Sequence, residues 1–121
     1  DNYDEFCNMN SNNERRQAMA MFIVNLMKLE VIKKSTVIEI IEELQGLMNE
    51  WMEEDDKINE IIELSENISI FVINGNDELS EEKQWDGIVG FLEEVSEMKA
   101  HDYPSMSNKV IFAHMDIIDE L

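Results

Sequence analysis

Apolar residues recur along this chain at three- and four-residue steps, in runs cut by short polar stretches. The first strong run predicts a helix from about residue 13 to residue 30, with Met19, Phe22, Ile23, Leu26 and Met27 on its inner face. Lys33 and Lys34 fall near its end, where the helix dipole favours cations. A second helix is expected from Ser35 or Thr36, since Thr36 and Glu39 have the spacing of a capping box. Its inner face reads Val37, Ile40, Ile41, Leu44, Leu47, Met48 and Trp51.

The acidic group Glu53, Glu54, Asp55 and Asp56 marks the next boundary, with acids at the start of a third helix. That helix carries Ile58, Ile61, Ile62, Leu64, Ile68, Phe71 and Val72, and Asn74-Gly75 reads as its C-terminal stop. The β-branched run from Ile68 to Ile73 has strand-like composition, but the helical spacing upstream favours helix. Ser80, followed by Glu81 and Glu82, is expected to cap a fourth helix with Trp85, Ile88, Val89, Leu92 and Val95 inside. It should end near Lys99, ahead of the turn His101-Asp102-Tyr103-Pro104. Pro104 breaks helical geometry, and Ser105 or Ser107 can cap a last helix. On that helix Val110, Ala113, His114, Ile117 and Leu121 share a face, with Ile111, Met115 and Ile118 beside it. So wide a stripe predicts packing on two sides.

Residues 1–12 are polar and read as a linker or the end of a preceding helix, with Tyr3, Phe6 and Met9 hinting at one helical turn. Residues 13–121 form the helical domain, and the start at Asp1 reads as a piece of something larger. The expected fold is all-α: about five helices of roughly 16 to 20 residues, in antiparallel hairpins joined by short turns. Two and a half hairpins with broad apolar faces suit a helical-repeat stack. A four- or five-helix bundle is the structural alternative.

Composition sharpens this picture. Hydrophobic residues make up 44% of the chain, while glycine (4) and proline (1) are too scarce for a sheet protein's turns. With 28 acidic and 9 basic side chains, the net charge of −19 repels phosphate backbones and anionic membranes. Direct nucleic-acid binding and membrane partners are therefore disfavoured, and a basic protein surface would be attracted. The plainer reading is that the excess acid keeps exposed helix faces soluble. Cys7 is the sole cysteine, which rules out an internal disulfide and fits a reducing, cytoplasmic setting. No apolar run approaches the ~18–20 residues of a membrane span.

Candidate chemistry is thin. Cys7, His101, Asp102 and His114 lack the spacing of a metal or nucleophile cluster, and His114 on its apolar stripe reads as a satisfied core histidine. Residues 74–82 lack the alternating ligands of a calcium loop, and no glycine loop could cradle a phosphate. The expectation is no enzyme, no metal and no cofactor. Trp51, Trp85 and the methionines read as core.

The last helix carries more. Ser107-Asn108-Lys109-Val110-Ile111-Phe112, with Asp116 and Asp119 beyond, resembles the closing helix of the middle domain of the translation initiation factor 4 gamma scaffold family. Arg15-Arg16 followed by Phe22-Ile23, Leu26, Lys28-Leu29 and Val31-Ile32 is similar to an earlier helix of that family. Ile62 to Leu79, with Ile73-Asn74-Gly75, resembles a helix ending in its I-G-x-x-L turn. Ile111 and Glu120 depart from the pattern, which has a basic and an aliphatic residue there. The resemblance covers about Glu14 to Leu121, the later part of a five-repeat domain. It implies a HEAT-type α-solenoid, a non-catalytic scaffold that binds a DEAD-box RNA helicase, initiation factor 4A, in cap-dependent translation. Other initiation factors are further partners. Related scaffolds act in mRNA decay, deadenylation or splicing, and a purely structural interaction module is the alternative of a different class. Carried over, the partner-binding residues are Lys109, Phe112, Asp116 and Asp119, with Asn108 and Asp102 in the preceding segment. For Phe112 the plain alternative is packing, and for the two aspartates a solvated face.

Overall fold

A computed structural model describes the backbone of residues 2–121 and the side chains from residue 12 onward. The side chains of Tyr3, Phe6, Cys7 and Met9 lie outside the described residues. Among these the fold is all-α. It comprises α1 (Asn2–Lys28), α2 (Lys34–Trp51), α3 (Ile58–Leu79), α4 (Trp85–Ser96) and α5 (Asn108–Glu120), with a 3-10 turn at Ala100–Asp102.

The helices are less even than expected, running 27, 18, 22, 12 and 13 residues. α1 begins well before residue 13, so the stretch read as a linker or helix end continues into it. Its buried stripe is Ala20, Val24 and Met27, whereas Met19 and Phe22, expected inside, are 56% and 55% exposed. Polar pairs flank the buried stripe. Arg16 pairs with Glu63, Gln17 with Glu66, and Lys28 with Glu78 at 2.9 Å, holding that side of α1 on α3. The paired positions rise together along both helices, so α1 and α3 pack side by side and run parallel, while α2 runs antiparallel to α3.

α1 stops in a Schellman motif. The N–H of Val31 donates to Leu26 O (2.9 Å), the N–H of Glu30 donates to Met27 O (3.0 Å), and Glu30 sits at φ 63°. A glutamate in the left-handed region costs about 1 kcal/mol that glycine would not. Glu30→Gly should therefore raise stability by about 1 kcal/mol in urea unfolding. No gain would mean that the turn is not held this way.

Several expected caps move. Thr36 and Glu39 form no capping box, because α2 already starts at Lys34 and the cap position, Lys33, lacks a side-chain cap. Lys34 thus stands at the N-terminus of α2 rather than the end of α1, and it pairs with Glu81 at 2.8 Å. That hydrogen bond pushes Lys34 up and Glu81 down from their ordinary pKa values. Asn74-Gly75 does not stop α3. Asn74 donates to Ile70 O within the helix, and Gly75 lets α1 approach: a Cβ there would lie 3.3 Å from Met27 Cε and 2.9 Å from Leu79 Cδ1. Ser80 closes α3 rather than opening α4, whose cap position is Gln84.

α3 is central, packed on α1, α2 and α5; α2 also meets α4, and α4 meets α5. All principal contacts join helices one or two apart in chain order. The core draws from all five, including Ile41, Met48, Ile61, Ile68, Leu92 and Ile117. Trp85 is buried as expected; Trp51 is only half-buried, with Lys57 Nζ 5.1 Å from its ring centroid.

The link to α5 is anchored by Ser105, which has no exposed surface. Its N–H donates to Met52 O (3.2 Å), its hydroxyl accepts from the Lys57 N–H (2.9 Å) and donates to Glu54 O. One serine so ties the α4–α5 connection to the α2–α3 turn. Among the described residues, no helix is long and apolar enough to cross a membrane.

Candidate partner-binding face

α5 is set by its start. Pro104 ends the connector, Ser105 fixes it, and Ser107 caps the helix, its Oγ accepting from the Val110 N–H at 3.4 Å. Val110, Ile111, His114 and Ile117 then point inward against α3 and α4, with Ala113 and Ile118 half-buried. The stripe is narrower than expected: Met115 and Leu121 are exposed.

The opposite side holds the predicted residues. Asn108, Lys109, Phe112, Asp116 and Asp119 are all exposed, and their three- and four-residue spacing sets them along one strip. From Lys109 to Asp119 the strip runs about 15 Å, ten residues at helical rise. Phe112 is 58% exposed, so packing does not account for it. Asp102 is exposed too, but sits in the 3-10 turn before α5, its carboxylate 3.4 Å from His101 Nε2. Met115, which the sequence placed on the apolar side, is 42% exposed on this strip. Its position three residues beyond Phe112 was the available signal. The strip therefore carries two apolar side chains beside a lysine and two aspartates, none of the three ion-paired among the described residues. Such a surface suits a partner with an apolar recess edged by cations. The described residues contain no group of three or more His, Cys, Asp or Glu placed to hold a metal.

His114 is buried completely, as expected of a core histidine, but only half satisfied. Its Nδ1 lies 2.9 Å from Val110 O, so Nδ1–H donates to that carbonyl, while Nε2 has no partner among the described residues. Burial pushes its pKa below the ordinary value of about 6.5, outweighing the Val110 bond. The unfolded chain then binds the proton more readily than the folded one, so this contribution is intact above about pH 6.5 and lost as pH falls below it. Thermal unfolding should show a midpoint that declines from about pH 6.5 to 5.5, and His114→Leu should flatten that slope. An unchanged slope would mean the proton goes elsewhere.

No protein-family model, curated protein or solved structure matches this chain.

Proposed function

We propose that the chain is a non-catalytic scaffold of the initiation factor 4 gamma middle-domain type, which binds a DEAD-box RNA helicase through the exposed strip of α5. The observation that carries this reading is the exposure of Lys109, Phe112, Asp116 and Asp119 together on one helix face. These are the positions where the sequence resembles the family's closing helix. The contact order lends support. Helices whose principal contacts are with neighbours one or two away in the chain suit a HEAT-like solenoid, in which each repeat rests on the next. In a closed four-helix bundle the first helix would also meet the fourth.

On this reading α5 presents Phe112 and Met115 to an apolar recess of a helicase lobe, while Asp116 and Asp119 meet basic side chains at its edge. Rigidity of the stack holds the lobe in a productive arrangement. The setting is cytoplasmic translation initiation, and the net charge of −19 leaves RNA to the helicase. The test is RNA-dependent ATP hydrolysis by initiation factor 4A with increasing amounts of the chain. Stimulation that Phe112→Ala reduces and added salt weakens is the expected result. A folded chain that leaves hydrolysis unchanged at low salt removes the helicase reading.

A further inference from the structure

α1 and α2 meet only lightly, and a cleft of about 430 Å³ opens between them over α3. Met19 and Ile23 line it from α1, Ile40, Leu44 and Trp51 from α2, and Phe71 from its floor. Phe22, one residue before Ile23 on α1, is more than half exposed. Methionine and aromatic side chains in a concave apolar setting are what protein interfaces favour at their centres. This cleft lies on α1–α3, away from the strip of α5.

From these observations we infer that the cleft docks an amphipathic α-helix of a partner protein, apolar edge inward and lysine or arginine along its flanks. Shape argues for a helix. Both walls and the floor are helices, the chain offers no sheet edge among the described residues, and helices pack about 8–10 Å apart. From Ile40 to Trp51 the α2 wall extends about 16 Å, three turns, enough for anchors at i, i+4, i+7 and i+11 of the docked helix. Charge argues for basic flanks. Glu39, Glu43 and Glu50 are exposed on the outward side of the α2 wall, and Glu60 lines the cleft on α3. None of the four is ion-paired among the described residues. Of the nearby cations, Arg16 is paired with Glu63, and Lys57 over Trp51 keeps its charge, one cation against four carboxylates. A basic flank gains attraction along this edge, and an acidic one is repelled.

The test uses the whole chain, isotope-labelled, and a synthetic helix of roughly 18 residues with a leucine edge and lysine flanks. Resonances of Met19, Ile23, Ile40, Leu44 and the Trp51 indole should shift on titration while those of α5 stay in place. Met19→Lys, at an exposed position that leaves the fold intact by circular dichroism, should weaken binding on the order of tenfold. A glutamate-flanked peptide with the same leucine edge should bind at least about tenfold more weakly. Equal binding by a peptide whose leucines are replaced by serine would overturn the proposal, since the acidic surface alone would then be the attractant. Shifts centred on the outer faces of α2 and α4 would do the same. So would a chain that dimerises through the cleft and ignores the peptide, because a second copy would then be the occupant.

Discussion

Ile68→Ala should cost the chain about 3 kcal/mol. Ile68 has no exposed surface and lies at the middle of α3, the helix on which α1, α2 and α5 all pack. Removing three buried carbons forfeits their transfer energy and leaves a hole that three helices must shift together to fill. In a domain of this size the unfolding midpoint should fall by about 10 °C. Ile58→Ala, in the first turn of the same helix and 42% exposed, should cost under about 1 kcal/mol. Urea unfolding with an unchanged slope measures both. Equal losses at the two sites would show that Ile68 does not sit at the centre of the packing.

Ser105→Ala should cost about 2 kcal/mol, more than the substitution of most buried serines. The lost hydroxyl leaves two backbone groups of another turn, the Lys57 N–H and the Glu54 carbonyl, without their partner. The Lys57 amide is the readout: its hydrogen exchange should accelerate in Ser105→Ala and stay near the parent rate in Ser107→Ala. Ser107 caps α5 through a single long bond, so its loss should cost under about 1 kcal/mol. If Lys57 exchange is insensitive to Ser105, the two connections are not coupled through it.

Helix existence was legible because α2, α3 and α4 bury residues at helical spacing throughout. What periodicity could not fix was where a helix stops or how it is rolled. Ser80 and Asn74-Gly75 carry the local chemistry of boundaries, but α3 runs through the second and ends at the first, because packing outweighs local preference there. Gly75 serves close approach of Met27, which no single-helix pattern reveals. On α1, Met19 and Phe22 fit the apolar period as well as Ala20 and Val24 do. Packing on α3 is what distinguishes them, and the pairs made by Arg16, Gln17 and Lys28 flank that contact. The α5 strip was legible from the resemblance to the family's closing helix, not from periodicity; its exposure follows because these residues lie off the buried stripe of Val110, Ile111, His114 and Ile117. Met115 escaped because a methionine suits either side.

If the α5 strip is the helicase-docking face, calorimetric titration of the chain into initiation factor 4A is the direct measurement. Binding with a Kd of roughly micromolar is expected. Asp116→Lys with Asp119→Lys should weaken it by at least about tenfold while the unfolding midpoint stays near that of the parent chain, since both residues are exposed. Heat that is unchanged by the double reversal would place the partner on another face. No heat at all from a folded chain would contradict the helicase-scaffold function itself.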